Sequence, residues 1–465
     1  MTSSFKRVML VVPPGRCTPE GAFHAVPPEG VARLAAWLRQ HGIEVSVVDT
    51  LIEGYDNRLI KGKSARYGLT ASQAADRVLD WKPDLIGISC LFTCIAPDVM
   101  EIAKACKSIE PRIPLVIGGA HAATNSVPIL EKEQAVDFVA LGEGEQTFMA
   151  LIDCLRNGGN PSEIEGLTGR ENGQIFKGHL VSQNIDLNTL PPPAWDLFSI
   201  DSYVEADSPL CGPQGKKRFL PTSWSRGCIN ACSYCLTSRV WGTGNYQKRS
   251  VAHILDEVKT LRNSFNIEEL HVQDDCLLAD KTWLHTILDA LANEHPELVL
   301  DFSNGFDIMT LDIETIARMA HAGTRRVSLS LEAGMPEKDL RFIHKRVPLS
   351  HAREIIAALH GHAIYITGNF MMGFPGQTID DMEATVEYAL SLDFDKLCLF
   401  IATPFPGSPL YAYCERHGYL VEPHNFNDFR FSKGLIQTGE FGPKDTERIR
   451  RDGWLRHKTK LFEAD

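Results

Sequence analysis

Two long runs of alternating apolar strands and amphipathic helices constrain the fold of this chain more than any other feature of its sequence. In the first run, short apolar segments predict strands at 6–12, 44–49, 85–89, 115–118 and 138–141, with helically spaced apolar residues between them. Strands that alternate with helices build a parallel sheet covered on both faces. We therefore predict an α/β protein that begins with a doubly wound sheet, whose ligands bind beyond the carboxyl ends of the strands.

The second run follows a Pro-rich connector that includes Leu190-Pro191-Pro192-Pro193. Its predicted strands are 220–223, 269–273, 299–303, 327–331, 367–372 and 396–400. Repeated βα units of this kind predict a partial (β/α)6 barrel with its active face at the strand carboxyl ends. The predicted organisation is a first domain over 1–160, a connector over 161–215, a barrel over 216–418 and a short helical C-terminal segment over 419–465.

Composition narrows the class of protein. The 465 residues are 44% hydrophobic and 23% charged, which is typical of globular chains. A net charge of −12 disfavours a nucleic-acid partner, and no apolar run approaches the roughly 20 residues of a membrane span. The 12 cysteines are scattered through apolar strings rather than arranged as a disulfide scaffold. We therefore expect a reduced, cytoplasmic protein without a membrane span.

Three of the cysteines need a separate explanation because they lie within eight residues. Cys228, Cys232 and Cys235 have the spacing C-x3-C-x2-C and follow the first predicted barrel strand directly. Three thiolates on one loop can hold three corners of a 4Fe-4S cluster. A structural zinc site would want a fourth ligand, usually from a second cysteine pair, and the neighbouring sequence has no such pair. Three ligands leave one metal position open, as in catalytic sites; packed or zinc-bound cysteines remain the alternative.

With this spacing at this position, the chain from 220 to 418 resembles the radical S-adenosylmethionine (SAM) superfamily. The resemblance implies that the fourth iron of the cluster binds SAM and that one electron cleaves SAM to a 5′-deoxyadenosyl radical. It also implies SAM contacts on successive strands: Tyr234, Gln273, Asp274, Asp275, Ser328, Ser330, Glu332, Asn369 and Met371. Carboxylates among them suit the cationic amine of SAM. An individual position such as Ser328 can equally be an ordinary strand hydroxyl.

The first third of the chain is similar to the Rossmann-like cobalamin-binding domain that precedes the barrel in one subfamily. The resemblance implies cobalamin contacts from the loops at the strand ends: Pro13, Pro14, Leu91, Phe92, Thr93, Gly118, Gly119, His121, Gly142, Glu143 and Gly144. The loop 90–94 is expected to pack against the lower face of cobalt. The D-x-H-x-x-G motif that supplies a histidine ligand is missing, so His24 and His121 are the nearby candidates and the lower ligand stays open. A dinucleotide site is disfavoured, because G-x-G-x-x-G does not follow the first strand.

Together these resemblances imply a cobalamin-dependent radical SAM methyltransferase. It would methylate an unactivated carbon of a small-molecule or natural-product substrate through the 5′-deoxyadenosyl radical and methylcobalamin. An external one-electron reductant such as flavodoxin or ferredoxin would supply the electrons. The alternatives are a non-methylating enzyme with the same cofactors (oxidative cyclisation, ring contraction or another rearrangement), SAM chemistry without cobalamin, and a non-catalytic cobalamin or redox sensor. The sequence identifies no catalytic side chain beyond these cofactor contacts.

Overall fold

The structure is a computed structural model that describes residues 5–17, 25–61, 64–179, 185–206, 217–332, 349–421 and 426–463. The chain divides into two compact units. The first comprises Met1–Arg218 with Arg239–Gly242, and the second comprises Phe219–Ser238 with Thr243–Asp465. The predicted domain limits at residues 160, 215 and 418 stay predictions.

The first unit contains ten strands and eight α-helices in its described residues. The strands are β1 (Arg7–Val12), β2 (Gly15–Cys17), β3 (Glu44–Asp49), β4 (Arg58–Lys61), β5 (Ser64–Tyr67), β6 (Leu85–Ser89), β7 (Leu115–Gly118), β8 (Phe138–Ala140), β9 (Leu167–Glu171) and β10 (Gln174–Phe176). The helices are α1 (Glu29–Gln40), α2 (Thr50–Glu53), α3 (Ala71–Asp80), α4 (Ala96–Ile109), α5 (Ala120–Thr124), α6 (Ser126–Lys132), α7 (Gly144–Asn157) and α8 (Ile200–Glu205).

Seven of these strands form one sheet in the order β10-β9-β8-β7-β6-β1-β3. Neighbouring strands among β3, β1, β6, β7 and β8 pair in parallel, and the hairpin β9–β10 adds an antiparallel edge. The chain runs from β1 to β3 on one side and then crosses to β6 on the other. This reversal makes the carboxyl ends of β1 and β6 the switch point at which open α/β sheets bind ligands. The predicted doubly wound sheet is confirmed, although the hairpin belongs to the sheet rather than to a loose connector.

Alternation along the strands explains why helices cover both faces of this sheet. In β1, Met9 and Val11 are buried in the core beneath α3 and α4, whereas Val8 and Leu10 are buried in the core beneath α1 and α7. Successive side chains of a strand point to opposite faces, so a strand buried on both faces is apolar throughout. A separate three-stranded antiparallel sheet, ordered β2-β5-β4, was not apparent from the sequence because its strands are short and partly polar.

The second unit contains eight strands and eight α-helices in its described residues. The strands are β11 (Phe219–Thr222), β12 (Ser225–Gly227), β13 (Tyr246–Lys248), β14 (Glu269–Val272), β15 (Val299–Asp307), β16 (Thr324–Glu332), β17 (Tyr365–Met372) and β18 (Lys396–Ile401). The helices are α9 (Thr237–Val240), α10 (Val251–Phe265), α11 (Lys281–Glu294), α12 (Ile313–His321), α13 (Leu349–Gly361), α14 (Ile379–Leu390), α15 (Pro409–Arg416) and α16 (Pro443–Glu463).

Six parallel strands of this unit pair in the order β11-β14-β15-β16-β17-β18. Helices alternate with them along the chain, so the predicted partial (β/α)6 barrel is confirmed. The short hairpin β12–β13 stands apart from this sheet and follows β11 directly. Of the described helices, none combines the length and apolar character needed to cross a membrane.

Candidate functional site

The three clustered cysteines lie in the connection between β12 and β13, between the end of β12 and the start of α9. Gly227 immediately precedes Cys228 and has φ +89. A Cβ placed on Gly227 would lie 2.1 Å from the backbone oxygen of Asn245 on the facing side of the hairpin. Only glycine accepts both this backbone conformation and this close approach. Gly227 therefore fixes the direction in which the chain enters the cysteine loop.

A buried carboxylate fixes the start of the hairpin. Asp274 is 4% exposed, and its side chain accepts the backbone N–H of Trp224 at 2.9 Å and both the N–H and the hydroxyl of Ser225. Asn304 donates to the carbonyl oxygens of Gln273 and Asp274 at 3.0 and 2.9 Å. The loop after β14 is thereby tied both to the cysteine loop and to β15.

Asp274 and Asp275 therefore have different environments, although the sequence places them side by side. The carboxylate of Asp274 is bonded to the chain itself, whereas Asp275 and Gln273 are exposed. The contact of Asp274 with SAM stays a prediction, as do those of Gln273 and Asp275. Of the two carboxylates, that of Asp275 is the one that solvent, and so a ligand amine, can reach.

A buried ion pair bonds to the segment between β11 and the start of the hairpin β12–β13. The Arg249 guanidinium contacts the Glu257 carboxylate at 2.8 Å, and both side chains are 2% exposed. Arg249 also donates to the Ser223 carbonyl at 3.2 Å, and the Thr222 hydroxyl donates to Glu257 at 3.1 Å. Breaking such a buried pair on one side is strongly destabilising, so the base of the cysteine loop is rigidly held.

Two sulfurs of the triplet accept backbone hydrogen bonds. The N–H groups of Asn230 and Thr237 donate to the sulfurs of Cys228 and Cys235, both at 3.4 Å. Cys235 Sγ and the Thr237 hydroxyl oxygen are 3.2 Å apart. Burial raises the pKa of Cys235, while the pKa of Cys228 is raised first by a hydrogen bond to Cys276 and then by burial.

Three thiols on one loop, two of them with N–H donors aimed at their sulfurs, fit the requirements of an iron–sulfur cluster. Thiolates are its protein ligands, and hydrogen bonds to the sulfurs are part of how proteins tune it. Metal binding would displace the thiol protons that burial otherwise retains. The described cysteines are all free of disulfides, so none of the three is committed elsewhere.

Tyr234, in the cysteine loop, lies near the ends of two barrel strands. Its ring centroid lies 5.8 Å from that of Phe374, which follows β17. Burial, followed by the charge of Glu332 at the end of β16, raises the pKa of Tyr234, so this hydroxyl stays protonated. Glu332 itself has φ +63, a left-handed conformation that costs a non-glycine residue about 1 kcal/mol or more. The strained residue, Glu332, is one of the predicted SAM contacts.

The remaining predicted SAM residues of β16 and β17 share one face of the sheet. Ser328 pairs with Thr367, and Ser330 pairs with Asn369. Phe370 points the other way, since its ring packs on Tyr388 of α14. Ser328, Ser330, Asn369 and Met371 therefore face away from the helices, on the inner side of the barrel. Their contacts with SAM stay predictions, but the fold brings these residues together.

The predicted cobalamin residues of the first unit lie just beyond four neighbouring parallel strands. Pro13 and Pro14 follow β1, and Gly142, Glu143 and Gly144 follow β8. Between them, Leu91 and Phe92 follow β6 with exposures of 47% and 60%. Exposed apolar groups at the ligand-binding edge of an open α/β sheet are candidates for contact with a ligand. This edge fits the apolar face of a corrin ring, while the individual contacts stay predictions.

Gly118 and Gly119 bring two of these loops together. Gly119 has φ +108, and a Cβ there would lie 2.9 Å from the backbone carbon and oxygen of Cys90. The His121 and Ala122 N–H groups donate to the carbonyls of Leu91 and Cys90 at 3.2 and 3.3 Å. The loops after β6 and β7 therefore form one surface.

His121 is fully buried behind this surface. Its Nδ1 lies 3.1 Å from the Thr93 hydroxyl, and its carbonyl accepts from Asn125 at 2.9 Å. Burial lowers the pKa of His121 to about 4, so the ring is neutral near pH 7. The imidazole is thus bonded within the fold rather than presented at the sheet edge. The other candidate, His24, lies outside the described residues.

Sequence reasoning missed a charged cluster beside the same loop. Asp98, in the first turn of α4, is 1% exposed and contacts Arg16 Nε at 2.5 Å and Arg66 Nε at 2.9 Å. These arginines come from β2 and β5, so the small antiparallel sheet is anchored next to Leu91 and Phe92. No sequence spacing signals this contact, because its three members lie far apart in the chain.

Two family models match the chain. Residues 222–389 match the radical SAM superfamily, and residues 22–152 match the B12 binding domain. The chain therefore belongs to the radical SAM superfamily. More narrowly, it is one of those members that carry a B12-binding domain ahead of the radical SAM domain.

The similar proteins span nearly the whole chain. The cytidylyl-2-hydroxyethylphosphonate methyltransferase of Streptomyces wedmorensis is 27% identical, over 94% of this chain and 86% of that protein. An uncharacterized methyltransferase of Pyrococcus horikoshii is 28% identical, over 97% of this chain and 92% of its own length.

Among solved structures, the radical SAM methyltransferase TsrM from Kitasatospora setae, with cobalamin and a 4Fe-4S cluster bound, superposes with a TM-score of 0.69. It is 17% identical and covers 90% of this chain and 76% of that chain. At this identity the likeness shows the shared fold.

Proposed function

We propose that this protein is a cobalamin-dependent radical SAM methyltransferase that acts on an unactivated carbon of a small molecule. The observation that carries the proposal is the loop of Cys228, Cys232 and Cys235, in which backbone N–H groups donate to the sulfurs of Cys228 and Cys235, in a chain that also has a B12-binding domain. Relatives named as methyltransferases match over 94% and 97% of the chain. When bound, the cluster supplies an electron to SAM, and SAM and cobalamin supply the radical and the methyl group.

The side chains of this protein would hold and orient these groups. Asp274 and Arg249 fix the base of the cysteine loop, and Asp275 offers an exposed carboxylate to the amine of SAM. Of the three thiols, that of Cys232 is buried and those of Cys228 and Cys235 are half-buried, which would limit access of water to the cluster. Reactive intermediates require such exclusion of water and fixed geometry.

Leu91 and Phe92 would pack against the lower face of the corrin. An apolar face without a strong protein ligand suits a cofactor that must both gain and lose a methyl group. A reductant of the flavodoxin or ferredoxin kind would supply electrons, and the oxygen-sensitive site would function in a reduced, cytoplasmic compartment. These assignments extend the proposal beyond the family relationship.

The proposal is tested with protein purified anaerobically and supplied with iron, sulfide, cobalamin, a reductant and SAM that is deuterated in its methyl group. Cytidylyl-2-hydroxyethylphosphonate, the compound for which the Streptomyces wedmorensis relative is named, is the first acceptor to try. We expect about four irons and one cobalt per chain, and we expect both S-adenosylhomocysteine and 5′-deoxyadenosine as products. Mass spectrometry should locate the label on the acceptor or, where this acceptor is refused, on cobalamin.

The products separate the proposal from its main alternative. 5′-Deoxyadenosine alone, with no S-adenosylhomocysteine and no label outside SAM, would contradict methyl transfer and favour a rearrangement or oxidative cyclisation. A Cys154→Ala variant, altered in a half-buried thiol of α7 in the first unit, serves as the control and should behave like the wild type.

A further inference from the structure

The small antiparallel sheet β2-β5-β4 places two arginines opposite each other. Arg16 of β2 pairs with Arg66 of β5 in the antiparallel register. Like charges that face each other across two strands are destabilising. Asp98, in the first turn of α4, accepts from Arg16 Nε at 2.5 Å and Nη2 at 2.9 Å and from Arg66 Nε at 2.9 Å. We refer to these three residues as the arginine cluster.

The arginine cluster holds more positive than negative charge. The side chain of Asp98 is 1% exposed, and those of Arg16 and Arg66 are 15% and 10% exposed. Among the described residues, Asp98 is the one carboxylate that forms an ion pair with either guanidinium. One carboxylate neutralises only one of the two, so the cluster keeps one positive charge largely shielded from water. A buried charge without a counter-ion is costly, and a bound anion would lower that cost.

The two arginines differ in how their donors are used. Arg66 also donates to the backbone carbonyl oxygens of Gly68, at 3.0 Å, and Leu69. Arg16 has five N–H donors, and its described contacts use three: two donate to Asp98 and one donates to the Ser64 hydroxyl at 3.4 Å. Arg16 therefore keeps donors that no described residue uses.

The arginine cluster lies at the ligand-binding edge of the first sheet. Arg16 follows the end of β1 by four residues, and α4 follows β6. Strands β1 and β6 are the paired neighbours at the switch point of the sheet. A Cβ on Gly68 would lie 2.9 Å from the Cβ of Pro14, so the end of β5 packs against a predicted cobalamin contact. The excess positive charge is therefore beside the edge that is proposed to hold cobalamin.

We propose that the arginine cluster is an anion site for the phosphodiester of cobalamin, with Arg16 as the residue that contacts it. The phosphodiester carries one negative charge, which balances the one positive charge that the cluster keeps. Guanidinium groups suit phosphate oxygens because their N–H donors are paired and permanently charged. The inference rests on the proposed function, because it takes cobalamin as the cofactor.

This assignment adds a group that the predicted cobalamin contacts lack. None of those residues is an arginine or a lysine, so without Arg16 they offer the phosphate no fixed positive charge. A phosphate or phosphonate of the substrate has the same chemistry and is the other source of an anion for this site. The experiment has to separate the two sources.

The test measures the dissociation constants of cob(II)alamin and cob(II)inamide by anaerobic equilibrium dialysis against the full-length protein. Cob(II)inamide keeps the corrin ring but lacks the phosphodiester, the ribose and the base. Arg16→Gln removes the charge and Arg16→Lys keeps it, while Arg77→Gln alters a side chain of α3 that is 68% exposed and serves as the control.

In Arg16→Gln we expect the preference for cob(II)alamin over cob(II)inamide to fall about tenfold, the usual contribution of a hydrogen bond to a charged group. Contacts of the ribose and the base are common to both proteins and cancel in this comparison. Arg16→Lys and Arg77→Gln should keep most of the wild-type preference.

An equal loss of affinity for both corrinoids in Arg16→Gln would overturn the inference, because Arg16 would then act only by holding β2 in place. Unchanged constants for both corrinoids would overturn it as well. If Arg16→Gln then weakened only the binding of the phosphonate acceptor to the cobalamin-loaded protein, the anion site would belong to the substrate. A wild type that binds neither corrinoid would instead defeat the proposed function.

Discussion

Asp49 has a buried carboxylate at the carboxyl end of β3, 2.5 Å from the hydroxyl of Tyr203. It also accepts the N–H of Ile52 at 3.2 Å and so caps α2. Burial raises the pKa of Asp49 from 3.8 to about 6, more than these hydrogen bonds lower it. Tyr203 lies on α8, so this single carboxylate fastens the segment after the hairpin β9–β10 to the edge of the first sheet.

The pKa of Asp49 predicts how the stability of the first unit changes with pH. Between about pH 4 and 6 the folded chain keeps a proton that the unfolded chain has lost, so this group makes folding less favourable as pH rises through that range. We predict that Asp49→Asn gains stability relative to wild type over the same range, by at most about 3 kcal/mol. Denaturant unfolding at a series of pH values measures the difference, with Glu101→Gln on the exposed face of α4 as control. Parallel pH curves for Asp49→Asn and wild type would contradict the assignment.

At the scale of elements, the C-terminal helix α16 covers the last barrel strand. Arg450 donates to the backbone oxygen of Leu399 at 2.8 Å, which occupies an exposed edge group of β18. Arg456 pairs with Glu387 of α14 at 2.5 and 2.8 Å. Edge strands that are left unpaired promote aggregation, so this helix protects the barrel edge.

Gly453 lets α16 approach that closely. A Cβ on Gly453 would lie 2.7 Å from side-chain atoms of both Leu399 and Val386. We predict that Gly453→Leu loosens the helix from the sheet and lowers the free energy of unfolding by about 1–3 kcal/mol, the usual cost of overpacking. Thermal unfolding and light scattering should show a lower transition and more aggregation. Arg451→Leu on the exposed face of α16 is the control, and an unchanged transition for Gly453→Leu would contradict the packing described.

At the scale of the whole molecule, the two cofactor sites are built from different compact units. The cluster ligands belong to the second unit, and the predicted cobalamin loops belong to the first. We predict that a Cys228/Cys232/Cys235→Ala triple variant loses its iron and its SAM cleavage but still binds cobalamin. Metal analysis and the visible spectrum of the bound cofactor measure both. Loss of cobalamin together with iron, in a variant that unfolds like the wild type, would contradict the independence of the sites.

Much of the fold was predictable because its signals are local. Apolar periodicity located β3, β6 and β7 at their observed limits, and α16 lies within the segment 419–465 that was predicted to be helical. The hairpin β9–β10 was less visible, since short antiparallel strands with mixed polarity leave little periodic pattern. The pairing of β9 with β8 is a long-range contact, so it depends on how the first sheet assembles rather than on any local pattern.

The candidate site also has a part that was predictable from the sequence and a part that was not. The triplet of Cys228, Cys232 and Cys235 can be recognised in the sequence from its spacing, because three thiols on one loop must lie close together. The different environments of Asp274 and Asp275 cannot be recognised in the sequence. They depend on the backbone amides of Trp224 and Ser225, which are distant along the chain and bond only to Asp274.

The sequence by itself determined the two α/β units, the cysteine loop and the strand-end positions of the proposed cofactor contacts. These follow from periodicity and spacing along the chain. Only the tertiary structure decided that His121 is enclosed and that the Asp274 carboxylate accepts the N–H of Trp224. The physical reason is that a side chain's burial and partners are set by residues far away in sequence, which no local pattern encodes.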